Sequence, residues 1–203
     1  MTRTMDAVVG AALHDLSNSF AGIQGILDLS DPARPLAPGQ RQRLEALLAD
    51  GFLLLQRTRH LCMGTRPEAL VEPGSLWREA LETQLQPLAV GFRCAISLRH
   101  EGEPGPDQWP GELLRGWALA VTRQVLPFFR GSHDCPGLVI EFGAAPQEWR
   151  LAWHPVIDLP NCLKETDDPP RDITAYWAKE MGRSLGAEVS FEQGRISARV
   201  PRF

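Results

Sequence analysis

His14, Asp15 and Asn18 are the residues of this sequence best placed to do chemistry. They stand in the run Leu13-His14-Asp15-Leu16-Ser17-Asn18-Ser19-Phe20, where an imidazole is followed at once by a carboxylate and, one helical turn on, by a carboxamide. A neutral imidazole is a nitrogen nucleophile; it can attack an acyl phosphate and hold the phosphoryl group as a labile phosphoramidate. The neighbouring carboxylate can bond a ring N–H, fixing the tautomer and steadying positive charge as the group arrives. An asparagine one turn away can orient a partner's carboxylate or a water. In the water case the same face removes phosphate instead of passing it on. Because phosphoryl transfer depends mainly on alignment and charge neutralisation, a partner can supply magnesium and the remaining groups.

The elements that must position these residues are two helices. Val9, Leu13, Leu16, Phe20, Ile23 and Leu27 alternate in steps of 4 and 3, which predicts a helix from about Asp6 to Leu29 with a heptad seam. His14 falls roughly 100° off that seam. Gly10, Ser17, Ala21, Gln24 and Gly25 share its face; they are mostly small and leave room for another protein to approach the ring. Pro32, Pro35, Pro38 and Gly39 break the pattern. A second helix is predicted from about Gln40 to Met63, with Leu44, Leu47/Leu48, Gly51, Leu54/Leu55, Thr58 and Leu61 on its seam. The two make an antiparallel hairpin. One hairpin leaves apolar surface uncovered, whereas two related by a two-fold axis make a four-helix bundle, so a homodimer is expected.

Residues 1–66 are thus expected to be a helical hairpin, and Gly64 to Gly74, rich in Pro and Gly, a linker. Residues 74–203 read differently. A helix from about Ser75 to Leu88 leads to an alternating strand, Phe92 to Leu98, and a Gly/Pro loop, Glu101 to Pro110. Next come a helix (Glu112 to Phe128), strands at Leu138 to Phe142 and Trp149 to Trp153, and an irregular stretch from Pro155 to Arg171. A helix from Ile173 to Leu185 and a hairpin turning at Gln193-Gly194 close the chain. The mixture predicts an α+β sandwich, one sheet covered on one face by helices.

Composition narrows the function. The 203 residues are 43% hydrophobic, enough for a real core, and the net charge of −4 with no Lys/Arg stripe argues against nucleic acid. No apolar run approaches the ~20 residues of a membrane span, and the N-terminus lacks a secretory cleavage pattern, so a cytoplasmic protein off the membrane is expected. Cys62, Cys94, Cys135 and Cys162 are scattered without a C-x-x-C pair, as reduced thiols would be. His60, His100, His133 and His154 have no ligand-spaced partner, so no metal site is expected. Asp167-Asp168 reads as solvated loop, and Trp117, Trp149, Trp153 and Trp177 as core. Ser17 and Ser19 have no base or oxyanion motif.

The stretch Ala12-Leu13-His14-Asp15-Leu16-Ser17-Asn18-Ser19-Phe20-Ala21-Gly22-Ile23-Gln24-Gly25-Ile26-Leu27 resembles the H-box of the two-component histidine kinases. In that family the H-box hairpin forms a dimeric four-helix bundle, followed by an ATP-binding α/β sandwich whose element order is similar to that after Pro73. The nucleotide motifs are missing. Leu113 to Val125, where the family places its N-box asparagine, contains none. His154-Pro155-Val156-Ile157-Asp158-Leu159-Pro160 stands in place of D-x-G-x-G, and Asp172-Ile173-Thr174-Ala175-Tyr176-Trp177 in place of the glycine-rich lid box.

A kinase-like bundle with a degenerate ATPase sandwich is similar to the ChpT-type histidine phosphotransferases of phosphorelays, and more distantly to the sporulation phosphotransferase. That resemblance implies that His14 takes a phosphoryl group from a receiver-domain aspartate and passes it to a response regulator. It also implies that the partners are receiver domains and a hybrid histidine kinase, that magnesium comes from the receiver, and that the chain uses neither ATP nor a cofactor of its own. The alternative is a non-catalytic dimeric adaptor, or pseudo-histidine-kinase, that binds and sequesters a response regulator. Autokinase activity is the reading least compatible with the missing motifs.

Overall fold

The computed structural model describes residues 2–31, 33–63, 71–101, 108–129, 137–164 and 172–202. The chain divides into two compact units, Met1–Arg66 with Pro169–Trp177, and Pro67–Asp168 with Ala178–Phe203. Most of the expected linker, residues 102–107 of the Gly/Pro loop, Asp167-Asp168, His133 and Cys135 lie outside the described residues, as does the side chain of His60.

In the first unit, α1 (Thr2–Asp28) and α2 (Pro38–Met63) form the helical hairpin. Ser30 Oγ closes the end of α1 by donating to the Ile26 carbonyl at 2.6 Å. Pro38 opens α2 at a position where its missing N–H costs nothing. Gln40 Oε1 accepts the Ala37 N–H at 3.1 Å, half of a capping box. Gly22 lets the helices approach: a Cβ there would lie 3.1 Å from Leu47 Cδ1.

The interior of the hairpin takes only part of the predicted seam: Leu54 is buried, and Leu16 and Leu61 pack against its core. Val8, Ala11, Ala12, Ile26 and Leu54 are buried, whereas Val9, Leu13, Phe20 and Leu27 are 41%, 60%, 65% and 48% exposed. On α2, Leu48, Phe52 and Leu55 are likewise exposed. A heptad reports an apolar stripe but not which neighbour it meets. Here small side chains beside the stripe help to close the hairpin, and Val9, Leu13, Phe20 and Leu27 of the stripe are left outside.

The second unit begins with the short strand β1 (Val71–Pro73), followed by α3 (Gly74–Phe92) and β2 (Ala95–His100). Next are β3 (Gln108–Pro110), α4 (Gly111–Val125), β4 (Gly137–Ala145) and β5 (Glu148–His154). Helix α5 (Ile173–Leu185) then precedes β6 (Glu188–Glu192) and β7 (Arg195–Pro201). Among the described residues, five strands form one sheet in the order β2-β4-β5-β7-β6, with β2 parallel to β4 and the other pairs antiparallel. Period-2 alternation sorts the side chains. Leu138, Ile140 and Phe142 share a face with Leu151, Trp153, Ile196 and Ala198, all buried.

Helices cover that face. Trp153 Nε1 donates to Thr122 Oγ1 of α4 at 2.9 Å, and the Trp77 ring of α3 lies 5.6 Å from that of Phe142. Gln193 and Gly194, both at positive φ, make the tight β6–β7 turn expected for a two-residue hairpin.

Several boundaries differ from the sequence reading. Helix α3 continues through Phe92, so the strand expected at Phe92 starts at Ala95. The helix stops where Arg93 takes φ 50, with Arg93 N–H returning to the Val90 carbonyl and Cys94 N–H to that of Ala89. The β1–β3 pair falls where the sequence predicts linker and loop, because three-residue strands carry no periodicity. No helix among the described residues is long and apolar enough to cross a membrane.

Candidate functional site

His14 lies near the middle of α1 with 69% of its side chain exposed, and Asp15 beside it is only 14% exposed. Asp15 Oδ1 lies 3.2 Å from His14 Nδ1, and the Asn18 carboxamide nitrogen lies 3.4 Å from the same ring nitrogen. The two contacts ask for opposite tautomers. Bonding to Asp15 requires a proton on Nδ1, whereas accepting from Asn18 requires a lone pair there. The shorter, charge-assisted contact to Asp15 favours the proton on Nδ1. With Nδ1 protonated, the lone pair sits on Nε2, which nothing bonds among the described residues. That is the arrangement of an accessible nitrogen nucleophile.

The surrounding face is open. Gly10, Ser17, Ala21, Gln24 and Gly25 are all exposed. A Cβ at Gly10 or Gly25 would meet nothing within 4 Å. Gln24 Nε2 donates to Asp28 Oδ1 at 2.7 Å, an i,i+4 pair that lies along the helix. From Gly10 to Gly25 the ledge runs about 22 Å at about 1.5 Å per residue.

Asp15 has a second partner that sequence reasoning missed. Its Oδ2 accepts the backbone N–H of Ile173 at 2.9 Å. Residues Ile173–Trp177 of α5 belong to the helical unit, although chain order places them with the sandwich. Ile173 and Tyr176 share a core with Val8, Ala11, Ala12 and Leu54. Buried Arg57 donates to Thr174 Oγ1 at 2.9 Å, and its guanidinium carbon lies 5.4 Å from the Trp177 ring centroid. Asp172 caps the helix, its Oδ1 accepting the Ala175 N–H at 2.8 Å. The cap is visible in the sequence as an acid before an apolar run. The docking of this turn against Asp15, 158 residues away, leaves no local signal.

The residues at the expected nucleotide positions are engaged in other contacts. On α4, Leu114, Trp117, Ala118, Val121 and Thr122 are buried in the sandwich core. After β5 three backbone donors are already used. The N–H of Val156 goes to Gly194 O, that of Ile157 to Phe128 O and that of Leu159 to Asp158 Oδ1. Asp158 pairs with Lys164 at 3.3 Å. The Leu159 amide, then Lys164, hold its carboxyl below the usual range.

His154 lies 3.2 Å from Glu141 Oε1 on the sheet. Arg195 Nη1 bonds the other Glu141 oxygen, and Arg195 also lies 3.7 Å from Glu101. This cluster ties β4, β5 and β7 together. His100 packs edge-on against Phe142. Among the described residues no group of His, Cys, Asp and Glu is placed to hold a metal ion, and Cys62, Cys94 and Cys162 are unbridged.

No family model matches this sequence, and neither does any curated protein sequence. The fold does have solved counterparts. The histidine kinase AdeS of Acinetobacter baumannii superposes with a TM-score of 0.59 at 12% identity, over 93% of this chain and 97% of that one. The structure of a bacterial phosphotransferase gives a TM-score of 0.56 at 9% identity, over 98% and 96%. Full-length ShkA, solved with AMPPNP, gives 0.52 at 15% identity, over 97% of this chain and 45% of that one. The chain therefore has a histidine-kinase-like fold.

Proposed function

We propose that this chain is a two-component histidine phosphotransferase of the ChpT type. His14 accepts a phosphoryl group from the aspartyl phosphate of one receiver domain and delivers it to a response regulator. One observation carries the reading: an exposed imidazole with the Asp15 carboxylate 3.2 Å from its Nδ1, on a helix whose Gly10, Ser17, Ala21 and Gly25 are small and exposed. The Nε2 lone pair attacks phosphorus, and the bond to the receiver's carboxylate oxygen breaks with its electron pair leaving on that carboxylate. The ring keeps its Nδ1 proton, and the positive charge it gains faces Asp15. Delivery reverses the same steps on a second receiver. Asn18, one turn along, orients the incoming carboxylate.

The exposed stripe of Val9, Leu13, Phe20 and Leu27, with Leu48, Phe52 and Leu55, supports a homodimeric four-helix bundle, because two such stripes cover each other. The misfit at the nucleotide positions supports a donor other than ATP, with magnesium brought by the receiver. A cytoplasmic location follows from such partners.

The test is to incubate the protein with radiolabelled ATP alone and then with a phosphorylated receiver domain. Label taken only from the receiver, and lost in His14→Ala, is the expected result. Label taken directly from ATP makes the chain an autokinase. Stable receiver binding without any label on the chain replaces the relay with the sequestering adaptor.

A further inference from the structure

We infer that the first turn of α5 is a positioning element for the His14 reaction, acting through Asp15. The inference rests on the phosphotransfer reading of His14 and adds a component to it. Asp15 bridges the nucleophile and this turn: Oδ1 faces His14 Nδ1 at 3.2 Å, and Oδ2 faces the Ile173 N–H at 2.9 Å. An aspartate on a helix surface can rotate about its side-chain torsions and spend its time solvated. Gripped at Oδ2, its carboxylate plane is fixed, and Oδ1 is presented to the ring.

The donor is well suited to this. Ile173 is the first residue of α5, and the first N–H groups of a helix have no partner inside it. They also carry the positive end of the helix dipole, which favours a carboxylate. The turn that bears the donor is itself immobilised on the hairpin. Ile173 is fully buried among Val8, Ala11, Ala12 and Leu54. Thr174 is tied to buried Arg57, and the Asp172 cap closes the turn. These contacts hold one N–H in place against one carboxylate oxygen.

The consequence is chemical. Asp15 held in this orientation keeps the His14 proton on Nδ1, so the Nε2 lone pair is available before any receiver arrives. Released from Ile173, Asp15 loses that orientation. The ring then populates the tautomer with the proton on Nε2, which leaves that nitrogen without a lone pair for the attack.

The experiment compares Ile173→Pro with Ile173→Ala in the full chain. Both truncate the buried side chain, but only proline removes the N–H. Proline is well tolerated at the first helical position, and its restriction on Asp172 matches the extended conformation of a cap. The first readout is the ¹⁵N chemical shifts of the His14 ring, taken without a phosphodonor. The second is the rate at which a phosphorylated receiver labels His14. Ile173→Ala should keep the Nδ1-protonated pattern. Ile173→Pro should shift toward the Nε2-protonated form and label about tenfold more slowly than Ile173→Ala, the effect of one charge-assisted hydrogen bond.

Identical spectra and equal rates for the two variants overturn the inference. Where the buried truncation prevents folding, Asp172→Ala and Asp172→Asn take their place. Loss of the cap in Asp172→Ala should loosen the turn and shift the His14 tautomer. The capping-competent Asp172→Asn should restore it, and no difference between those two overturns the inference equally. Because the ring spectra need no phosphodonor, a wild type that never takes label defeats the relay, while the paired spectra still decide the role of the Ile173 N–H.

Discussion

At the scale of single residues, the role proposed for the Asp15 carboxylate is to select which ring nitrogen of His14 reacts. Its replacement by asparagine is the sharpest probe. A carboxamide at this position can still accept the Ile173 N–H through its oxygen, but it then turns an NH2 toward His14 Nδ1. That donor favours a lone pair on Nδ1 and a proton on Nε2, the unreactive tautomer. Asp15→Asn should therefore slow single-turnover labelling by a phosphorylated receiver about 100-fold, a typical size for a lost acid–base contribution. The fall should exceed that of Asp15→Ala, which leaves the tautomer undirected. Equal rates for the two variants would show that charge alone matters.

A second residue-scale expectation concerns Glu141. Burial raises its pKa, but hydrogen bonds from Arg195 and His154, with their charges, outweigh this and lower it from 4.5. A depressed carboxylate stabilises the fold above its unfolded value, and that contribution is lost as pH falls through the lowered folded value. Glu141→Gln should therefore melt well below wild type at about pH 6, and the gap should narrow toward about pH 3. A gap that does not depend on pH would assign the loss to packing.

At the scale of elements, the apolar stripe of the hairpin carries the prediction. Phe20 is 65% exposed and Phe52 68% exposed, in line with other large apolar residues at heptad spacing. Burying one such side chain contributes about 1.5–3 kcal/mol, and a two-fold interface uses each position twice. Phe20→Glu should therefore raise the dimer dissociation constant at least about 100-fold, turning a dimer into a monomer in light scattering at micromolar concentration. Helix content by circular dichroism should hardly change, since Phe20 is not part of the hairpin's own interior. A wild-type chain that is already monomeric at high concentration would leave the stripe to a different partner.

The same stripe shows what was legible in the sequence. The helices, the sheet strands and the Gln193-Gly194 turn are written in local periodicity and turn chemistry, so they could be read directly. The His14-Asp15-Asn18 spacing was equally local, and the structure brings those three side chains together. What could not be read was the choice among long-range partners. Nothing near Val8 or Ala12 says that these small residues, rather than Leu13 and Phe20, meet the other helix. Nothing near Ile173 says that its N–H meets Asp15. Both depend on contacts formed between distant segments, for which a single sequence carries no periodic mark.

At the scale of the whole molecule, a histidine-kinase-like sandwich stands as a packed body in which other contacts occupy the nucleotide positions. Trp77, Trp117 and Trp153 are essentially fully buried, and α4 uses Thr122 to satisfy the Trp153 indole instead of a ligand. The amides after β5 are committed to Phe128, Gly194 and Asp158. On the proposed reading these bonds persist and ATP does not bind, since no glycine loop stands there to wrap phosphate. Linkage gives this a measurable size. A site with a Kd of about 10 µM would, at about 1 mM nucleotide, stabilise the fold by about 2.7 kcal/mol and raise Tm by about 5–10 °C. Magnesium-ATP should instead leave the melting curve unmoved, whereas a phosphorylated receiver should label His14 in the same preparation. A rise of several degrees with ATP, abolished by an Asp158→Ala substitution, would return the sandwich to nucleotide binding and make ATP a regulator of the relay.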